Sequence, residues 1–95
     1  MDLSKRFIVT SNRESGFGRY DVMIEPKDVA KDNAYIIEFK VLNHRREKTL
    51  EETVEAAHAQ IEDRKYAEVL VSRGVPEEHI RKYGFAFQGK EVLIG

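Results

Sequence analysis

A chain of 95 residues, 41% hydrophobic and 35% charged, has the composition of one folded domain (1–95) and no room for a second core. A formal net charge of −1 excludes nucleic-acid binding through a bulk basic field, so any such contact must come from local clusters. The absence of cysteine excludes disulfides, thiolate metal sites and a cysteine nucleophile. It also fits a reducing, cytoplasmic setting. No apolar run approaches the roughly 18 residues of a membrane span, and Met1–Lys5 does not open a signal peptide.

In chain order, Arg6–Thr10 (R-F-I-V-T) reads as a short strand on its β-branched and aromatic content. Ser11–Gly18 is polar and contains Gly16 and Gly18, which marks a turn. No phosphate-binding loop is present there, because neither the following helix nor a Gly-Lys-Ser/Thr run exists. Arg19–Pro26 is a second strand, with Tyr20, Val22 and Ile24 on one face and Asp21, Met23 and Glu25 on the other. Pro26 ends it. Lys27–Asn33 is a connection of hairpin length, which makes the second and third strands antiparallel neighbours and sets Asp21 beside Glu38.

The third strand, Ala34–Leu42 (A-Y-I-I-E-F-K-V-L), is the apolar centre of the chain and is expected to be buried on both faces. Tyr35, Ile37, Phe39 and Val41 share one face, and Ala34, Ile36, Glu38, Lys40 and Leu42 the other. Burying Glu38 and Lys40 costs several kcal/mol, of order, unless they pair, hydrogen-bond or bind metal. Two chemistries meet that need. One is a buried Glu38–Lys40 ion pair; the other is a divalent cation between Asp21 and Glu38, for which magnesium or manganese suits hard oxygen donors, with Lys40 placing positive charge near a phosphorus centre.

After a basic loop containing His44, Arg45, Arg46, Glu47 and Lys48, Thr49-Leu50-Glu51-Glu52 has the spacing of a helix capping box. Leu50, Val54, Ala57 and Ile61 then recur at helical spacing, with Gln60 beside that face and a break near Lys65-Tyr66. Gly74 is placed to cap the helical run before Pro76. Ile80–Phe87 alternates Tyr83, Phe85 and Phe87 against Gly84 and Ala86, which predicts a strand whose small side lies under a helix and whose aromatic side is core. Gln88-Gly89-Lys90 turns it into a final strand, Glu91–Ile94. His44, His58 and His79 are too scattered for a zinc site and read as surface or packing residues. The order β-β-β-α-β-β specifies an α/β mixed sheet with a covering helix. Its exposed edges and small core favour a homodimer.

The segments Ser11–Pro26 (S-N-R-E-S-G-F-G-R-Y-D-V-M-I-E-P), Ile36–Lys40 (I-I-E-F-K), Gln60–Ala67 (Q-I-E-D-R-K-Y-A) and Lys82–Lys90 (K-Y-G-F-A-F-Q-G-K) together resemble the PD-(D/E)xK nuclease superfamily. The branch they most resemble is found C-terminal to AAA-ATPase-like domains. That resemblance implies a restriction-endonuclease-like fold and magnesium- or manganese-dependent cleavage of nucleic acid, DNA above all. It implies Asp21, Glu38 and the backbone carbonyl of Phe39 as metal ligands, Lys40 as the catalytic lysine and Gln60 as a residue beside the site. It also makes an ATPase-like domain a candidate partner.

Two features depart from the pattern. Members with the glutamine usually carry a tyrosine three or four residues later, where this chain has Asp63 and Arg64 and delays the tyrosine to Tyr66. The family's N-terminal core helix is missing or supplied elsewhere, which leaves Glu14 or Glu25 as candidates for its carboxylate. Arg13, Arg19, Arg45, Arg46, Lys48 and Tyr66 are candidate nucleic-acid contacts. The competing functions are a weakly active nucleic-acid-binding or regulatory module, and a structural or oligomerisation domain built around the Glu38–Lys40 pair.

Overall fold

The computed structural model describes residues 6–14 and 19–95. Three consecutive strands, β1 (Phe7–Glu14), β2 (Arg19–Pro26) and β3 (Ala34–Val41), form an antiparallel meander. Two helices follow, α1 (Leu50–Asp63) and α2 (Tyr66–Ser72), then a 3-10 turn at Glu77–His79 and the hairpin of β4 (Ile80–Gln88) and β5 (Glu91–Ile94). The sheet runs β1-β2-β3-β4-β5, with β3 and β4 parallel and the other neighbours antiparallel. A mixed five-stranded sheet with α1 packed on β3 and β4 is the α/β arrangement expected from the sequence.

The first strand is longer than its composition suggests. Ser11 to Glu14 continue β1 because they pair in register with Val22 to Arg19, which satisfies backbone groups that propensity alone would leave in a turn. The glycine turn, residues 15–18, lies outside the described residues.

The helical boundaries follow their predicted signals. The Glu52 N–H donates to Thr49 Oγ1 at 3.3 Å, and Glu52 Oε2 accepts from the Lys48 N–H at 2.7 Å. The break between the helices is Lys65, whose φ of 58° lies in the left-handed region. Gly74, with φ of 95°, ends α2, its N–H reaching the Val71 carbonyl at 3.0 Å.

The core lies between the helices and one face of the sheet. Ala34, Ile36, Ile61, Leu70 and Val75 form its buried cluster. Gly84 sits where α1 comes closest. A Cβ added there would stand 3.1 Å from Ala57 Cβ and 3.2 Å from the Val54 carbonyl oxygen. Because the obstacle includes helix backbone, Gly84→Ala should cost a net of about 1–2 kcal/mol, overpacking being partly offset by a stiffer unfolded chain. Urea denaturation will measure this; a neutral or stabilising result would mean that α1 sits less tightly on β4.

The expectation that β3 is buried on both faces is corrected. Both helices lie on the side of Ala34, Ile36 and Glu38, and no described helix packs on the other. There Tyr35, Ile37 and Phe39 are only half-buried and Val41 is exposed. Tyr83, Phe85 and Phe87 share that open face, so they are not core. The Phe39 ring lies 4.9 Å from that of Phe85 and 6.2 Å from that of Phe87, centroid to centroid. The cause is steric: the helix takes the side where Gly84 and Ala86 allow close approach, and the aromatic side is turned away.

Candidate functional site

Residues 21 and 38 are direct cross-strand partners in the antiparallel β2–β3 pair, so both side chains leave the same face. Cβ atoms in such positions stand about 4.5–5.5 Å apart. That face is the one covered by α1 and α2, and the acids are almost fully enclosed, Asp21 2% and Glu38 1% exposed. Two carboxylates this close repel each other when both are ionised.

The Asp21 carboxylate is gripped from the helix junction. The Tyr66 hydroxyl donates to Asp21 Oδ2 at 2.7 Å, and Arg64 donates to the same oxygen at 3.1 Å. Arg64 also reaches the Tyr66 oxygen, at 3.2 Å. Burial pushes the Tyr66 phenol up, and the bond to Asp21 adds to the shift, so it stays a hydrogen-bond donor at neutral pH. Tyr66, a candidate nucleic-acid contact by sequence, is thereby placed against a site carboxylate.

Lys40 shares the face of Glu38, and its ion pair is with a residue the sequence did not single out. Its Nζ donates to both carboxylate oxygens of Glu47, each at 2.9 Å. Glu47 is buried in the turn before α1 and also accepts from the Asn43 N–H at 3.0 Å and the Thr53 hydroxyl at 3.2 Å. Burial raises the carboxyl's pKa, but the bonds from Asn43, Lys40 and Thr53 outweigh it and hold Glu47 below the usual carboxylate range. The sequence showed Glu47 only as one acid in a basic loop, and its partner is visible only once the turn brings it back over β3.

Gln60, on α1, faces Lys40 across an open cleft of about 630 Å³ whose walls include Asn43, Arg46, Glu47 and Asp63. Of the proposed phosphate contacts, Arg46 lines this cleft, while Arg45 and Lys48 are exposed on the same turn. Arg13 and Arg19 fall on paired strand backbone near the ends of β1 and β2, and their side chains lie outside the described residues. Glu25 does not join the site. It lies four residues along β2 from Asp21, roughly 13 Å, and pairs with Arg73. Glu14's side chain, like the Gly16 and Gly18 turn, is outside the described residues.

A family model described as the PD-(D/E)XK nuclease superfamily matches residues 1–95. The chain belongs to that superfamily. Among curated proteins nothing matches it, and among solved structures nothing does either. Asp21 and the Glu38-Phe39-Lys40 triplet lie on adjacent strands with both acids and the lysine toward one face. Members of the PD-(D/E)XK superfamily generally use divalent metals, and the donor set here can be tested against that habit. No three His, Asp or Glu side chains converge among the described residues. Two carboxylates supplemented by backbone or solvent oxygen still suit magnesium, which keeps several waters and takes one or two carboxylates plus substrate phosphate. No described helix is long and apolar enough to cross a membrane.

Proposed function

We propose that this chain is a magnesium- or manganese-dependent nuclease that hydrolyses phosphodiester bonds, in DNA by preference. The observation that carries the reading is the register of Asp21 opposite Glu38 on one enclosed face, with Lys40 following on the same strand. Asp21, Glu38 and the Phe39 carbonyl are the proposed metal ligands. Bound there, a divalent ion supplies Lewis-acid polarisation of a phosphoryl oxygen and lowers the pKa of water. Lys40 places a positive charge where negative charge builds up on phosphorus, and Gln60 offers an amide across the cleft to hold water or substrate. Arg46 on the cleft wall, with Arg45 and Lys48 on the same turn, contacts the phosphate backbone, a sequence-independent role.

A second reading, a nucleic-acid-binding module of weak activity, draws support from the Arg64–Asp21 ion pair. The guanidinium already neutralises one acid of the pair, so a cation must compete with it.

Titration calorimetry with manganese distinguishes the two readings. The parent chain is expected to bind the ion and Asp21→Asn to weaken it by about tenfold or more, since one of two anionic ligands becomes neutral. Absence of manganese binding to the parent would overturn the nuclease reading. The substrate follows from a panel of single- and double-stranded DNA and RNA, each with and without manganese.

A further inference from the structure

We infer that Glu47 is a positioning residue for Lys40: it fixes the lysine amine on the wall of the cleft and thereby sets where the positive charge stands beside the acid pair. The inference rests on the nuclease reading for its catalytic consequence, and on geometry alone for the positioning itself.

A lysine side chain has four rotatable carbon bonds and a compact charged head, so left to itself its amine samples a wide volume. Here two of the three N–H donors of that head are engaged by the two oxygens of one carboxylate, each at 2.9 Å. Equal contact with both oxygens centres the amine, a compact point charge, on the carboxylate. The carboxylate is itself immobilised. The Asn43 backbone N–H and the Thr53 hydroxyl both donate to Oε1, at 3.0 and 3.2 Å. Glu47 is 6% exposed and Thr53 fully buried, so solvent does not loosen the assembly.

The support reaches deeper into the fold. Thr53 stands in the first turn of α1, and its single hydroxyl proton is shared between Glu47 and the Thr49 carbonyl oxygen, which lies 3.3 Å away. The Glu47 N–H is tied to the Asn43 carbonyl at 2.7 Å. The lysine amine is therefore referenced to both β3 and the start of α1, the two elements that bear Glu38 and Gln60. Glu47 and Lys40 line the same cleft as Gln60, which places the fixed charge beside any strand lodged there. Misplacing a reacting group by about 1 Å costs on the order of 10²-fold in rate, so a tether of this kind is worth that much to the chemistry.

A purely structural ion pair makes different predictions. Glu47→Gln keeps the shape and the acceptor for Asn43 and Thr53 but removes the charge and one of the two lysine acceptors. It is expected to bind manganese within twofold of the parent and to lose tenfold or more in kcat with KM little changed. Its effect should vanish in a Lys40→Ala background. Thr53→Val, which removes the hydroxyl's contacts with Glu47 and with the Thr49 carbonyl but leaves the Glu47 charge and the Asn43 bond in place, should show a smaller loss in the same sense. Independently of activity, relaxation of the labelled Lys40 Cε methylene should report a fall in order in both variants.

Parent-like kcat in Glu47→Gln, or a loss that persists undiminished without Lys40, would overturn the inference. A tenfold loss of manganese affinity would overturn it too, by making Glu47 a ligand. If the parent itself does not cut, the nuclease reading fails and the NMR measurement decides the positioning: unchanged Lys40 order in both variants sinks it.

Discussion

Glu38→Ala and Lys40→Ala are each expected to lower metal-dependent phosphodiester hydrolysis by about 10³-fold or more, the scale on which a group aimed at developing charge acts in an enclosed site. The two losses should differ in kind. Without Glu38 the acid pair is broken, so metal affinity falls together with rate. Without Lys40 both carboxylates persist, so metal still binds and the loss falls on kcat. Stability supplies a further signature. Glu38 is 1% exposed and among the largest fully buried side chains, so truncating it leaves a cavity, and the metal-free Glu38→Ala protein should melt below the parent. Hydrolysis is to be followed on a labelled duplex with manganese, beside melting curves in chelator. Parent-like cutting by both variants would show that the activity arises from other residues or a contaminant.

Ile36→Ala should destabilise the chain by about 2–5 kcal/mol, as deletion of a buried branched side chain does when its surroundings cannot collapse. Ile36 is completely buried and belongs to the cluster with Ile61, Leu70 and Val75. Small domains are stable by only about 5–15 kcal/mol, so this variant approaches the threshold of folding. The neighbouring substitution Ile37→Ala is the control. Ile37 points to the open face, half-buried among Tyr35, Tyr83 and Phe85, and loses a smaller share of its contacts with water excluded. Its cost should be no more than about half that of Ile36→Ala. Urea midpoints interpreted with a common slope will measure both. Equal losses at 36 and 37 would mean that the sheet is covered on both sides in solution.

That contrast also shows what the sequence could and could not tell. Period-two alternation sorted the side chains of β2, β3 and β4 into two sets and put Glu38 and Lys40 on a common face, while the hairpin-length connection between β2 and β3 set Asp21 beside Glu38. Thr49 and Glu52 marked the start of α1, and Lys65-Tyr66 its break, because capping and backbone handedness are local matters. For β4 the small side, Gly84 and Ala86, marked the face that α1 covers, but alternation within β3 alone does not say which of its faces a helix will choose. Both faces of β3 are rich in apolar residues, and the choice was made by Gly84 and Ala86 on a strand more than forty positions away. The extension of β1 through Glu14 likewise came from pairing with β2 rather than from its own residues.

The candidate site divides in the same way. Its acids and lysine were legible because spacing along strands fixes their side, whereas Glu47, Arg64 and the placement of Tyr66 depend on how turns fold back over the sheet. Arg64 was visible only as a neighbour of Gln60, and nothing local to it announces a bond to Asp21.

The left-handed residue at the helix junction has an effect that outlasts its role as a boundary. A lysine in that conformation is uncommon and costs of order 1 kcal/mol or more relative to ordinary backbone, so something nearby must hold it there. By reversing the chain's hand for one residue, Lys65 swings its two sequence neighbours inward like the jaws of a pincer, and both close on a single oxygen of Asp21. Asp21, a proposed metal ligand, is thus held by one short knuckle of chain, and whatever straightens that knuckle releases both jaws at once.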